Sequence, residues 1–190
     1  MAQAVIGLGN PGAEYRDTRH NVGQRVLDIL AARLATSFAP WPAGGSIHQL
    51  ATARRTRDDD AHYLLKPGVF MNASGPAVAA ATRALALEPA DLVVVFDDLD
   101  LPLGTVRARR AGSSGGHHGV QSILEALGTS EIRRVKVGIG RPLAPGEPRA
   151  QVVDHVLSHF APEESAAVGE ACDAAAGRVL ELLARRDARA

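Results

Sequence analysis

At 190 residues, 46% of them hydrophobic, the chain fits one domain with a sizeable core, and 21 basic against 21 acidic side chains exclude a simple polycation. Its single cysteine, Cys172, excludes an internal disulfide. No apolar run approaches the ~20 residues of a membrane span, and residues 1–12 lack the basic start and cleavage site of a secretory signal, so a soluble cytoplasmic protein without a membrane partner is expected.

Residues 4–8 read as a short apolar strand that runs into Gly7-Leu8-Gly9-Asn10-Pro11-Gly12. A glycine-forced turn at a strand end leaves room for a ligand against the backbone, and this one delivers Asn10 and, soon after, His20. The spacing of Val22, Val26, Leu27, Ile29, Leu30 and Leu34 predicts a helix over about 21–35. Residues 38–45, rich in Pro and Gly, are expected to be a surface loop. Residues 47–55 and 61–65 flank Arg57-Asp58-Asp59-Asp60 and predict a hairpin with an acidic turn. Lys66-Pro67-Gly68 breaks the chain before an alanine-rich helix over 72–87.

Residues 92–96 are apolar at every position, the pattern of a central strand buried on both faces, and are followed by Asp97-Asp98-Leu99-Asp100. A short strand near 105–108 leads to a flexible segment over 112–116, then to a helix over 119–127, a strand over 135–139, a loop over 143–148 and a long terminal helix over 162–186. The order is that of one mixed α/β domain spanning 1–190. Charge is uneven along it. Residues 105–150 carry eight bases against three acids, and bases in two segments that meet on one surface would suit an anionic partner.

Gly7, Gly9 and Gly12 match the G-x-G-x-x-G fingerprint of dinucleotide binding, but the context excludes it. The last glycines should open a helix that holds pyrophosphate, with an acid ~20 residues further on. Here Pro11 and residues 14–20 intervene before the helix, so no nucleotide cofactor is expected.

His20 lies just before the first helix, and Asp97 follows the buried strand, where ligand crevices of α/β sheets open. A carboxylate there holds an imidazole in one tautomer and favours its protonated form, so His20 with Asp97 reads as a general base with its orienter. No G-x-S-x-G nucleophile elbow occurs, which makes bound water the expected nucleophile. Asn72, at a helix start, has two readings: a helix cap, the one propensity favours, or an amide presented to substrate. Gly115-Gly116-His117-His118-Gly119 opens another helix, whose N–H groups suit an anion or an acyl oxygen. Zinc held by His20, His117 and His118 is set aside because adjacent histidines diverge at a helix start, and no metal is expected. Cys172, among alanines, is expected to be a packed side chain.

Taken together, Gly7 to Gly12, Tyr15, Thr18-Arg19-His20-Asn21 and Gly23, Phe70-Met71-Asn72-Ala73-Ser74-Gly75, Asp97-Asp98-Leu99-Asp100-Leu101-Pro102-Leu103-Gly104, Gly115-Gly116-His117 and Val137-Gly138-Ile139-Gly140-Arg141-Pro142 resemble bacterial peptidyl-tRNA hydrolases, in order and over nearly the whole chain. The resemblance implies a single α/β domain, a mixed and mostly parallel sheet flanked by helices, acting as a monomer in translation. It implies hydrolysis of the ester joining a peptide to the 3′-terminal ribose of peptidyl-tRNA, with no metal or cofactor. On the matching positions, His20 is the general base and Asp97 its orienting carboxylate, while Asn10 positions substrate and stabilises charge on the ester carbonyl. Asn72 binds the peptide backbone, Tyr15, Phe70 and Met71 line the groove, and Arg109 with Lys136 clamps a tRNA phosphate.

The chain departs from the family pattern at two places. His118 stands where Asn is usual, and a neutral imidazole, like an amide, offers one donor and one acceptor to peptide or water. Val69 stands where a hydroxyl is frequent. The alternative reading is a non-enzymatic RNA-binding protein, since chloroplast relatives of the family serve in intron splicing. Asn10, His20, Asn72 and Asp97 favour the enzyme, and an amidase on free peptides would have no use for the arginines.

Overall fold

The computed structural model describes residues 2–54, 61–141 and 149–187. Seven strands among them form one sheet: β1 (Gln3–Gly7), β2 (Ala39–Ala43), β3 (Ser46–Ala53), β4 (His62–Lys66), β5 (Leu92–Asp98), β6 (Val106–Arg109) and β7 (Arg133–Gly138). The spatial order is β2-β3-β4-β1-β5-β7-β6. β4, β1, β5 and β7 form a parallel core, and the β2–β3, β3–β4 and β6–β7 pairings outside it are antiparallel. β1 and β5 sit at the centre because their apolar runs can be buried on both faces at once, as they are over all of β1 and all but the last residue of β5.

Among the described residues five α-helices accompany the sheet: α1 (Val22–Arg33), α2 (Ser74–Ala84), α3 (His118–Leu127), α4 (Arg149–Leu157) and α5 (Ser165–Asp187). On one face α1 buries Val26, Leu27 and Leu30 together with Val168, Ala175 and Val179 of α5. On the other, Val78 and Ala81 of α2 pack with Val120 and Ile123 of α3. Cys172 lies fully buried in the α1–α5 layer, where desolvation pushes its thiol up to about 11, so it is packing material and not a nucleophile.

Two expectations need correction. Residues 38–45 are not a plain loop: Ala39–Ala43 is an edge strand, with Pro40 opposite Gln49 and Pro42 opposite Ile47. Prolines two apart on an edge strand direct both missing donors to the same open side, so the ladder to β3 survives them. α4 was not expected at all. The terminal helix begins later than residue 162, because Pro162–Glu164 forms a 3-10 turn before α5. The acidic turn at 57–60 and the loop at 143–148 lie outside the described residues.

Two glycines bring the elements of the site together. A Cβ at Gly7 would stand 2.7 Å from the Gly23 carbonyl, and one at Gly23 would stand 2.3 Å from the Val95 carbonyl. The start of α1 can therefore lie directly on the ends of β1 and β5, which is the use this chain makes of its glycine-rich turn.

Candidate active site

The 3-10 turn Arg19–Asn21 carries His20 to the end of β5, where Nδ1 meets both oxygens of Asp97 at 2.9 and 3.0 Å. Asp97 is 2% exposed, and a buried carboxylate facing an imidazole fixes the ring proton on the facing nitrogen. That leaves His20 Nε2 with the lone pair a base requires. Burial is the largest single influence and pulls the His20 imidazole down, but the Asp97 charge and hydrogen bond together outweigh it and hold the group above the ordinary histidine value. Burial likewise pushes Asp97 up, yet His20 and His117 outweigh it and hold the carboxyl well below the usual carboxylate range.

His117 is the participant that sequence reasoning missed in this role. Its Nδ1 accepts from the Val120 N–H at 3.2 Å, capping α3, so its ring proton resides on Nε2, which lies 3.0 Å from Asp97 Oδ1. The ring stacks edge-on against Phe96, with centroids 4.9 Å apart. Asp97 is thus held by two N–H donors that share its Oδ1, on imidazole rings whose centroids lie 4.9 Å apart. The signal in the sequence was His117 three residues before Val120, a cap spacing, but the partner twenty residues upstream is set by topology.

Asn10 is tied to the same 3-10 turn, although the groove it lines is not the one that holds His20 and Asp97. Its N–H donates to Asn21 Oδ1 and its carbonyl accepts from Asn21 Nδ2, both at 2.9 Å, while its own Oδ1 accepts from the Met71 N–H at 2.9 Å. With the amide oxygen committed, Nδ2 is the end of Asn10 that can face a substrate oxygen. Asn21, quoted in the sequence motif but given no role there, is the residue that fixes this orientation. Met71 is buried beside it, and Tyr15 meets Phe70 edge-to-face at 6.0 Å, with Phe70 left 55% exposed. Asn72 does not cap a helix: Phe70 and Ala73 occupy the cap positions, without side-chain cap bonds, and Asn72 is exposed.

The cleft above His20 and Asp97 is bounded by residues 114–118 on one side and by Val152, Val153 and Val156 of α4 on another. His118, exposed at the start of α3, reaches this cleft. The trio His20, His117 and His118 is not assembled as ligands. Asp97 replaces His118 in the one cluster among the described residues that could hold a metal, its ligand atoms within 4.8 Å of one another, and the His–Asp contacts in it have N–H···O hydrogen-bond lengths.

The basic segments do meet. In β6–β7, Arg107 lies opposite Lys136 and Arg109 opposite Arg134, so all four project from one face. Like charges directly opposite destabilise a ladder unless something neutralises them. Lys136 donates to Asp98 Oδ2 at 2.7 Å and Arg134 is enclosed, leaving Arg107 and Arg109 exposed.

Residues 4–190 match the sequence model of the family described as peptidyl-tRNA hydrolase. A protein of that name from Persephonella marina is 47% identical over 185 residues, 96% of this chain and 92% of the other. One from Halalkalibacterium halodurans is 45% identical over 90% of this chain and 88% of its own. The crystal structure of peptidyl-tRNA hydrolase from Acinetobacter baumannii superposes with a TM-score of 0.84 at 28% identity, covering 99% of this chain and 91% of that one.

Proposed function

Because this chain belongs to the peptidyl-tRNA hydrolase family and so hydrolyses peptidyl-tRNA, we propose a mechanism in which His20 activates water and Asp97 orients it. The observation that carries it is the buried Asp97 carboxylate 2.9 Å from His20 Nδ1. His20 Nε2 takes a proton from water as the oxygen attacks the ester carbonyl, and Asp97 stabilises the imidazolium that forms. Asn10 Nδ2 donates to the oxygen that gains charge. On collapse the bond to the 3′-ribose oxygen breaks, the imidazolium returns its proton to that oxygen, and peptide and tRNA leave. His117 holds Asp97 in place through the oxygen it shares with His20.

Asn72, Tyr15, Phe70 and Met71 are assigned to the peptide side of the cleft and His118 to its rim. The reaction uses no metal or cofactor, and the protein acts as a monomer in the cytoplasm. No helix among the described residues is long and apolar enough to cross a membrane. The relatives above are hydrolases by name, and nothing in them supports the non-enzymatic reading. Peptide release from peptidyl-tRNA, measured for wild-type and His20→Ala protein side by side, is the test.

Arg109 and Lys136 are assigned to a tRNA phosphate, Arg109 as the exposed charge and Lys136 as a charge held ready by Asp98. Arg109→Ala is therefore expected to raise KM severalfold at low salt and to reduce the salt slope of log KM by ~0.7–0.9, the value of one lost phosphate contact, with kcat little changed. Lys136→Ala should raise KM at least as much, because it also frees Asp98 to repel phosphate. A salt series in which both variants track the wild type would remove the clamp.

His118 makes a separate prediction at the point where the chain leaves the family pattern. Protonation removes the imidazole's only acceptor and adds a positive charge to the cleft, whereas an amide takes up no proton and keeps its acceptor. His118→Asn is expected to keep substantial activity near neutrality and to lose activity less steeply toward acid pH. Superimposable acid limbs would place His118 outside the substrate's reach.

A further inference from the structure

Arg134 is among the largest fully enclosed side chains, 2% exposed, and the mechanism gives it no part. Its guanidinium donates to three main-chain carbonyls: Nη1 to Ser113 at 2.8 Å, Nη2 to Ser130 at 3.1 Å and Nε to Ile132 at 3.3 Å. The Gly112 N–H donates to the same Ser130 carbonyl at 3.3 Å. A rigid fork of donors spans three fixed acceptors in a way that a single ammonium cannot.

From Ser113 the chain runs straight into the site. The Ser114 carbonyl accepts from the His117 N–H at 3.1 Å, and Ser114 Oγ accepts from the Gly116 N–H at 3.4 Å. Gly112, Gly115 and Gly116 have φ of 138°, 59° and 82°, a run of backbone conformations with little intrinsic restraint. Where this segment lies is therefore set by its two anchors, Arg134 on Ser113 at one end and His117 on Asp97 at the other. We propose that Arg134 is a positioning residue for the catalytic pair: it pins the glycine-rich segment to the α3–β7 turn and so holds His117 where its Nε2–H reaches Asp97. This rests on the assignment of His20 and Asp97 as base and orienter.

The consequence is readable at His20. Around it stand Asp97 and Asp98 from β5, with Lys136 of β7 on Asp98, and His117 and His118 from the start of α3. Its own turn contributes Arg19, paired with Glu164, and α4 lines the cleft with Val152, Val153 and Val156. When His117 no longer reaches Asp97, the carboxylate has one donor fewer, its charge acts more fully on His20, and the imidazole binds its proton more tightly.

The test is an NMR titration of the His20 ring, assigned by its absence in His20→Ala, in the wild type, Arg134→Lys and Gly112→Ala. Both test variants conserve charge. Arg134→Lys loses the fork. Gly112→Ala strains the loop end of the same anchor, and because Gly112 is exposed and a Cβ there meets nothing nearer than Arg134 Nη1 at 4.0 Å, the fold is expected to survive it. Each should raise the His20 midpoint by roughly half a unit to one unit, with kcat lowered and KM nearly constant. A merely structural role lowers the folded fraction without moving the midpoint. An unmoved midpoint in the folded variants overturns the proposal; if Arg134→Lys does not fold, Gly112→Ala decides alone. Should His20→Ala keep most of its activity, the base assignment falls instead, while the midpoints still report on Arg134.

Discussion

His20→Ala is expected to lower kcat for peptidyl-tRNA hydrolysis by ~100- to 10,000-fold, the usual contribution of a positioned general base, while KM and its salt dependence stay close to wild type. The separation follows from geometry. His20 stands over the Asp97 carboxylate at the end of β5, whereas the exposed bases Arg107 and Arg109 lie on β6, two strands away in the sheet order. Loss of the imidazole removes the acceptor for the water proton and leaves tRNA capture intact. Single-turnover hydrolysis at saturating enzyme measures the chemical step directly. Most of the wild-type rate surviving in that assay would falsify the mechanism.

What the sequence made legible was chemistry carried by local pattern. The run 92–96 could only be a buried central strand, which placed Asp97 at a crevice, and the glycine-rich turn placed Asn10 and His20 beside it. The parts that escaped depend on contacts between distant segments or on small shifts in where an element begins. Propensity favours Asn72 as a cap over an amide presented to substrate, but the 3-10 turn Met71–Ala73 precedes α2 and moves the cap positions to Phe70 and Ala73. Pro40 and Pro42 argued for a loop, and only the edge position of β2 makes them harmless.

Other misses were quieter. Val152, Val153, Val156 and Leu157 do carry helical spacing, yet four residues in a nine-residue helix rich in valine gave too little contrast to be recognised. The count of eight bases over 105–150 said nothing of their pairing. Arg134 is spent on carbonyls, Lys136 is held by Asp98, and Arg141 donates to Asp100, so the exposed charge is narrower than composition implied. His117 shows the same limit: its cap spacing was visible, but the orientation that presents Nε2 to Asp97 follows from the register of β5 against the start of α3.

Asp97→Asn is expected to lower kcat by ~100- to 10,000-fold, as the loss of an orienting carboxylate does in hydrolases that rely on one, and to do so with a signature that separates orientation from charge state. The carboxylate accepts two N–H groups, from His20 Nδ1 at 2.9 Å and from His117 Nε2 at 3.0 Å. An amide has one oxygen for these two donors and presents an NH2 in place of the second oxygen. His117 cannot adapt, because its Nδ1 is committed to the Val120 N–H. His20 must then turn or move its proton to Nε2, the nitrogen needed as base. Burial and the Asp97 charge act on His20 in opposite senses, with Asp97 prevailing, so removing the charge leaves burial alone and lowers the imidazole's proton affinity. The acid limb of kcat/KM is therefore expected to move to lower pH in Asp97→Asn even as the rate collapses: more of the base is neutral, and less of it is useful. A rate loss with the acid limb moved to higher pH would mean that Asp97 does not raise His20, and that the 2.9 Å contact serves the fold instead of the reaction.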